Sequence, residues 1–298
     1  MKKIIVPLLA LLALGCIPAM ADTGAIVPAG DVKLTEPGQK AIALFNGHEE
    51  VLILGTDIAA SKDAVALRFI PFPSLPAVDA ALPSAFEAAA KLVQRHQLNY
   101  VIQYRSGTVA DSAVEVVLVK RIPGHEVTVV RINDAVEFAA WVKDYFAKKG
   151  VTLAADLTSA DTIALDYTTR DFRFFAFDLV DLRADANYVR PVQYRFKTDK
   201  LYYPLKTSNT FGGEGRIDLL FCAPRAWQYI RNGFQASTSA KLSSQDLKAV
   251  YKDSKAFFKG RDIILQAFRY QGALSFDGDI QADTLNGIKE LKVTPPRH

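Results

Sequence analysis

Short apolar runs bounded by turn residues recur along this chain and set its fold class. The runs GQKAIALF and EEVLILGTD flank Asn46-Gly47, and Asn-Gly between two apolar runs is the strongest short signal of a β-hairpin. AVEVVLVKRI and EVTVVRI are joined by Pro123-Gly124. This dipeptide suits a type II turn, because proline fixes the first central residue and glycine adopts the positive φ of the second. Consecutive hairpins of this kind predict a mainly antiparallel β protein.

Other runs along the chain carry the same strand pattern. The additional strands are predicted at AVALRFIPFPSLP, NYVIQYR, TIALDYTT, FRFFAFDLVDL, VQYRFKT, LYYPLKT, RIDLLFCA and DIILQAFRY. Tyr202-Tyr203 and the aromatic residues of FRFFAFD alternate across their strands, which is the pattern of core and cross-strand pairs and which we favour over a platform that stacks on carbohydrate or bases. We therefore expect an α+β fold, mainly antiparallel β, in which two sheets pack together and the helices lie on the outside.

Helices are predicted in three regions. Residues 80–97 are alanine-rich, and alanine is the best helix former. A second helix starts at Asn133-Asp134 and ends at a basic turn before Gly150, and Trp141 lies on its apolar stripe, so we expect Trp141 to be largely buried. Ser243 with Asp246 has the spacing of a capping box, which predicts one helix from there through the phenylalanines of KAFFKG.

The N-terminus has the three parts of a secretion signal. Two lysines are followed by the apolar run IIVPLLALLALG, which is too short for a membrane span of about 20 residues. Ala19-Met20-Ala21 then fits the A-x-A cleavage pattern. Cleavage after Ala21 predicts a secreted, periplasmic or cell-surface protein. A lipoprotein anchor at Cys16 is the alternative, and we disfavour it because the residues ALG before this cysteine fit the lipoprotein pattern poorly.

These features divide the chain into a signal peptide (1–21), a β-rich core (22–222) and a C-terminal helix and strand packed on the same domain (223–298). No later run is long and apolar enough to span a membrane.

The formal net charge is +4, and two of the lysines that contribute to it belong to the signal. So small and scattered a charge predicts no nucleic-acid partner. Cys222 is the only cysteine beyond the signal, so no internal disulfide is possible, and its apolar neighbours predict a buried thiol.

The common catalytic motifs are absent from the sequence. There is no G-x-S-x-G elbow, no H-E-x-x-H and no pair of C-x-x-C motifs. Asp22-Thr23-Gly24 spells an aspartic-protease triplet but has neither the apolar flanking strand nor a second copy. DGDIQAD at 277–283 resembles part of a calcium loop but lacks the third early ligand and the terminal glutamate, so it predicts a tight turn. We predict no catalytic, cofactor-binding or metal-binding residue.

The tripeptide Gly-His-Glu occurs twice, in NGHEEV and PGHEV. With Asn46 and Gly47 as the two central residues of the turn, His48 begins the next strand and shares one face with Glu50. These two side chains could hold a metal ion together with His125 of the second copy. Both copies come just after a turn, where polar residues are expected in any case, and we favour this simpler interpretation.

Four longer motifs occur in order: FIPFPSLPAVDAALPSAFEAAAKL, VVRINDAVEFAAWVKDYFAKKGV, RDFRFFAFDLV and VQYRFKTDKLYYPLKT. In this order and spacing the chain resembles the family known as domain of unknown function 2330, over residues 26–222. The resemblance implies secretion and a β-rich fold, and it implies no catalytic residues, because the family has no established activity. Family members often carry more cysteines than the single mature Cys222, so no disulfide is carried over.

Two hypotheses about function follow. The first is a non-enzymatic binding or structural module of the envelope or the extracellular space, with a protein or polysaccharide partner. The second is a metal-assisted hydrolase that uses His48, Glu50 and His125. A deep pocket that holds these three residues would favour the second hypothesis, whereas a shallow groove with aromatic residues or a broad apolar patch would favour the first.

Overall fold

The computed structural model of the protein describes residues 24–291, apart from 29–31, 33, 36–37, 57–58, 101–114, 133–137, 155–156, 183, 185–189, 211–213, 237 and 290. The strands are β1 (Gly24–Ile26), β2 (Leu34–Thr35), β3 (Gln39–Phe45), β4 (Glu49–Thr56), β5 (Ala59–Ala60), β6 (Ala64–Phe72), β7 (Ala77–Ala80), β8 (Glu115–Ile122), β9 (His125–Arg131), β10 (Phe174–Leu182), β11 (Val192–Lys197), β12 (Lys200–Tyr203), β13 (Glu214–Ala223), β14 (Ala240–Leu242), β15 (Ile263–Ala273) and β16 (Ile280–Asp283). The helices are α1 (Ala85–Arg95), α2 (Phe138–Lys148), α3 (Thr158–Thr169) and α4 (Ser254–Phe258).

Most of the described strands belong to two sheets. One has five strands in the order β1-β6-β10-β9-β8, and the other has seven in the order β14-β15-β13-β3-β4-β11-β7. Every pairing in them is antiparallel except that of β13 with β3. The short pairs β12–β16 and β2–β5 complete the described topology. The predicted α+β fold with mainly antiparallel sheets is confirmed.

The two large sheets pack face to face. Phe72 of β6 lies 5.0 Å, between ring centroids, from both Tyr194 and Phe196 of β11, so the five-stranded sheet contacts the seven-stranded sheet directly. Outside this layer, α2 packs on the five-stranded sheet through Phe138, whose ring lies 5.6 Å from that of Phe177. On the far side, α1 and α4 cover the outer face of the seven-stranded sheet. The predicted arrangement, with helices outside two packed sheets, is present.

The run TIALDYTT, predicted as a strand, is part of α3. Its threonines and isoleucine favour a strand locally, since β-branched residues fit a pleated surface. In the folded protein, however, Ala160, Ile163, Ala164 and Tyr167 are buried at helical spacing. Tyr167 packs edge-on against Phe175, at 6.1 Å between ring centroids. Burial of this stripe against the sheet therefore outweighs the local preference.

The predicted helix after Ser243 is divided in two. The capping-box bonds do form, with the Ser243 N–H donating to Asp246 Oδ2 at 2.9 Å and the Asp246 N–H to Ser243 Oγ at 3.3 Å. They open a 3₁₀ turn at 246–249, and α4 begins separately at Ser254. Ser254 Oγ donates to the carbonyl oxygen of Ser244 at 2.7 Å, which fixes the chain reversal between the two pieces.

The first two predicted helices also differ from expectation in detail. The one predicted at 80–97 begins at Ala85, because Ala80 pairs with Val192 at the end of β7. In α2, Phe138, Val142 and Phe146 are buried, whereas Trp141 is only partly buried and packs on Phe177 at 4.7 Å between ring centroids. The expected burial of Trp141 is therefore met only in part.

Several predictions fall on residues outside the described part of the chain. These are the signal peptide with Cys16, most of the strand NYVIQYR, and the start of α2 at Asn133-Asp134. None of the helices in the described part of the chain is long and apolar enough to cross a membrane.

Candidate binding groove

The face of β11 that points away from the other sheet carries a row of polar side chains. Residues of a strand alternate between its two faces, and Val192, Tyr194 and Phe196 are buried towards the five-stranded sheet. Gln193, Arg195 and Lys197 consequently lie on the outer face. Arg195 and Lys197 are exposed there, about 6.6 Å apart along the strand.

This row forms the floor of an open groove. Three adjoining cavities of about 350, 310 and 370 Å³ lie along it, and neighbouring cavities share Glu49, Ala77, Arg195 and Lys197. We call them together the β11 groove. Its floor is Gln193, Arg195 and Lys197, and its walls include Asn46, His48, Glu49, Leu75, Ala77, Asp79, Leu82, Tyr251, Lys252, Asp253, Phe257, Lys259 and Arg261.

Positive charge predominates in the β11 groove. Five of its lining side chains are lysine or arginine and three are acidic. Two of the acids are already paired, because Glu49 binds Arg195 at 2.6 Å and Asp79 binds Lys120, outside the groove, at 2.9 Å. The net field inside the groove therefore favours an anion.

Arg195 is held at the centre of the groove. The hydrogen bond to the Glu49 carboxylate raises the pKa of the Arg195 guanidinium, although partial burial opposes this shift. The guanidinium carbon also lies 5.5 Å from the centroid of the Phe257 ring, in a cation–π contact. Arg195 is thus a fixed positive charge, and the aromatic ring beside it is part of the groove wall.

One end of the groove is built on the turn between β3 and β4. Asn46 Oδ1 accepts hydrogen bonds from the N–H groups of His48 and Glu49, at 3.0 Å each. Phe45 pairs with Glu50, so Gly47 and His48 are the central residues of this turn. The predicted turn with Asn46 and Gly47 at its centre is wrong, because the asparagine side chain closes the turn from its first position.

The same turn is fastened to the segment after α4. Asn46 Nδ2 donates to the carbonyl oxygen of Phe257 at 3.1 Å, and Arg261 Nη1 donates to the carbonyl oxygen of Asn46. Gly47 has φ +96°, and a Cβ there would lie 2.8 Å from Arg261 Nη1. Glycine adopts this φ without strain, whereas a larger residue would be strained and would displace the tip of the arginine. The cavity at this end, about 310 Å³, is lined by His48 among other residues.

The second Gly-His-Glu copy lies in the five-stranded sheet and is buried. His125 Nδ1 is 2.9 and 2.8 Å from the two carboxylate oxygens of Asp178, and Nε2 is 2.8 Å from the carbonyl oxygen of Arg190. A carbonyl oxygen only accepts, so Nε2 carries a hydrogen. Both ring nitrogens are therefore engaged, and His125 joins β9 to β10 and to the segment that enters β11. Glu126 beside it binds Lys149.

Glu50 is enclosed between the two sheets. Its Oε2 accepts a hydrogen bond from the Tyr202 N–H at 2.6 Å, and its Oε1 has no hydrogen-bond partner among the described residues. Burial raises the pKa of the Glu50 carboxyl well above its usual value, and the bond from Tyr202 opposes this only partly. A buried carboxyl without a cationic partner is stable chiefly in its neutral form.

His48, Glu50 and His125 are not brought together. His48 is exposed in a turn, Glu50 is buried between the sheets, and His125 is engaged in the other sheet. The described residues contain no group of three or more histidine, cysteine or acidic side chains placed to hold a metal ion. The convergent geometry on which the hydrolase hypothesis depends is not formed by these three residues.

Sequence reasoning missed a buried polar network around Asp279, a residue predicted only to belong to a turn. Asp279 accepts hydrogen bonds from Tyr167 Oη at 2.5 Å, from Arg170 Nη1 at 2.9 Å and from the Lys206 N–H at 3.0 Å. Asp166 extends the network by binding Arg170 and Lys206. Burial raises the pKa of Asp279, while Arg170 lowers it. The network ties the residues before β16 to α3.

Two predictions about apolar positions are confirmed. Tyr202 and Tyr203 are buried in the core rather than forming an exposed aromatic platform. Cys222 is a buried free thiol, and burial raises its pKa to about 12. A thiol with so high a pKa is almost wholly protonated at neutral pH and is therefore unreactive.

Comparison with known proteins gives one match. A family model described as an uncharacterised protein conserved in bacteria, DUF2330, matches residues 17–219. No curated protein and no solved structure matches the chain. The matched region includes the floor of the β11 groove and its β7 wall, whereas the wall formed by residues 251–261 lies beyond it.

Proposed function

The chain belongs to the DUF2330 family of uncharacterised bacterial proteins, and from the β11 groove we propose that it is a non-enzymatic module that binds an acidic polymer, with an anionic polysaccharide as the leading ligand class. The observation that carries the proposal is the excess of cations along an open groove whose acids are largely paired already. The exposed Leu75 in its wall also suits a sugar chain, because an apolar side chain can cover the apolar face of a sugar ring.

The weakness of single surface ion pairs favours a polymer over a small anion. An exposed pair stabilises by only about 0.2–1 kcal/mol. One charge in the groove would therefore give little affinity, whereas several contacts made at once by one chain add up. The groove is open along three adjoining cavities, which suits an extended ligand better than an enclosed molecule.

The test compares binding of charged and neutral polymers. Polygalacturonate and polyphosphate should bind, with affinity that falls as salt is added, and neutral pullulan should not. The groove variant replaces three lysines by glutamine and should weaken binding roughly tenfold, as three lost pairs of about 0.5 kcal/mol each imply. Its substitutions are Lys197→Gln, Lys252→Gln and Lys259→Gln.

A matched control changes the same total charge elsewhere. It replaces three exposed lysines that do not line the groove, namely Lys143→Gln, Lys248→Gln and Lys255→Gln. Binding should be nearly unchanged in this control. Equal losses in the two triple variants would mean that only net charge matters, and they would overturn the proposal, as would the absence of binding to either acidic polymer.

We also propose that the protein acts outside the cytoplasm, with a mature chain that begins at Asp22. The support is the signal pattern that ends at Ala21. Mass spectrometry of the protein from its host should give an N-terminus at Asp22. An acylated N-terminal Cys16 would instead place the protein on a membrane surface as a lipoprotein.

A further inference from the structure

We infer that the His48 end of the β11 groove binds a phosphoryl group, so that the acidic polymer is a phosphorylated glycan. This inference rests on the proposed function and specifies its ligand. The site is the cavity of about 310 Å³ next to the β3–β4 turn. His48, Lys197, Lys259 and Arg261 line it, and among the described residues Glu49 is the only acidic one that does so.

The charge balance at this end calls for more than one negative charge. Glu49 is already bound to Arg195 at 2.6 Å. Lys197 and Lys259 make no ion pair within the described part of the chain. Together with Arg261 they leave three uncompensated cations around one cavity. A carboxylate would supply one charge, whereas a phosphate monoester carries about −1.5 to −2 and three acceptor oxygens.

The arrangement of the donors also favours a phosphoryl group over a carboxylate. An arginine that offers two parallel N–H groups binds planar carboxylates and phosphates alike. In Arg261, however, Nη1 already donates to the Asn46 carbonyl oxygen, and Nη2 lies 3.4 Å from His48 Nε2. The remaining cations are lysines, which act as point charges and suit the several oxygens of a phosphoryl group.

The site is fixed in place before any ligand arrives. Asn46 closes the turn by accepting from two N–H groups and also donates to Phe257 O. On the other side, Lys259 has φ +48° and ψ +44°, followed by Gly260 at φ +75°. This left-handed conformation is strained for a residue with a side chain, and it ends α4 as many helix C-termini do. Here Lys259 lies beside the β3–β4 turn and lines the same cavity.

The test titrates the full chain with inorganic phosphate, glucose 6-phosphate and glucuronate, followed by amide NMR shifts at Gly47, His48 and Gly260. Inorganic phosphate reports the phosphoryl group alone, and glucose 6-phosphate reports whether an attached sugar is accepted. We expect both phosphates to bind and glucuronate to bind at least about threefold more weakly, as the loss of one exposed ion pair implies.

Lys259→Gly is the decisive variant, because glycine adopts the left-handed conformation freely and the fold is kept. It should weaken phosphate binding roughly three- to tenfold, the range expected for one lost lysine contact. Lys255→Gln, on the neighbouring turn of α4 and outside the groove, is the control and should bind phosphate as the wild type does.

Phosphate binding no tighter than glucuronate binding, or unchanged by Lys259→Gly, overturns the inference. If polygalacturonate still binds and the groove triple variant still weakens that binding about tenfold, the proposed function stands and only its phosphoryl specificity is refuted. If no acidic polymer binds, both fall together.

Discussion

Replacement of Glu50 by glutamine should change how the stability of this protein depends on pH. Glu50 is enclosed between the sheets, and its only hydrogen bond among the described residues comes from the Tyr202 N–H at 2.6 Å. Burial raises its pKa well above the usual value of 4.5. The folded protein therefore keeps a proton at pH values where the unfolded chain has released it.

The sign and the size of the effect follow from this difference in bound protons. The stability linked to Glu50 is present in full below the ordinary carboxyl pKa and is lost as pH rises towards the raised value in the folded state. Each pH unit inside this window lowers the free energy of unfolding by about 1.4 kcal/mol. Between pH 5 and pH 7 the loss has a ceiling of about 2.7 kcal/mol.

Glu50→Gln has no proton to release and should lack this slope. At pH 5 the variant should be less stable than the wild type by about 1–3 kcal/mol, because the amide adds buried N–H donors without acceptors. At pH 7 this deficit should shrink or reverse. The free energy of unfolding of the wild type is lower there, because its folded state keeps a proton that the unfolded chain has released. The variant-minus-wild-type difference isolates Glu50, because other buried acids such as Asp279 contribute to both proteins.

Urea unfolding at pH 5, 6, 7 and 8, followed by tryptophan fluorescence, measures this difference. Glu87→Gln is the flat control: the hydrogen bond from Lys91 lowers the pKa of the exposed Glu87 carboxylate, so Glu87 is ionised in both the folded and the unfolded chain across this pH range and its difference should not vary with pH. A Glu50 difference that stays constant with pH would refute the reasoning. It would mean that the carboxyl is ionised or reaches water within the fold.

Three further changes test the turn, the helix end and the C-terminal part. Lys259→Gly should raise the free energy of unfolding by about 0.5–1 kcal/mol in urea titrations, because relief of left-handed strain exceeds the added entropy of unfolded glycine. Gly47→Ala should lower it by about 1–2 kcal/mol through backbone strain and should displace Arg261 from the Asn46 carbonyl oxygen, whereas Gly124→Ala, at φ +90° with open space around it, should show the strain alone. A chain that ends at Cys222 should show no cooperative transition by near-ultraviolet circular dichroism, because β13 loses β15; a sharp transition would contradict this.

The strands were predictable where one face of the chain is apolar. VQYRFK alternates strictly, so β11 and its outward row of Gln193, Arg195 and Lys197 can be derived from sequence. TIALDYTT was mistaken for a strand because its β-branched residues fit both patterns, and only the stripe of Ile163, Ala164 and Tyr167 against the sheet decides for helix. Local pattern therefore identifies an element well only when one period clearly dominates.

The predicted register of the first hairpin was wrong for a physical reason. Asn-Gly was taken as the turn centre, but Asn46 uses its side chain to close the turn and to hold Phe257, which is distant in sequence. A shift of two residues leaves the faces unchanged, so Glu50 still points to one face of β4. That this face is the interior could not be read from the sequence, since Glu50 is charged in water.

The candidate site depends on contacts that sequence pattern does not encode. The floor of the β11 groove and its β7 wall lie within the family match, whereas Lys259 and Arg261 lie beyond residue 219 and reach the β3–β4 turn only through the packing of α4. Two of the three cations at the His48 end therefore come from outside the family model. Without Lys259 and Arg261 the cavity would keep only Lys197, and on these arguments it would bind acidic polymers weakly and without preference for phosphate. On this proposal the preference for phosphate comes from the segment after residue 219, and comparison of Lys259→Gly with Lys197→Gln separates its contribution from that of β11.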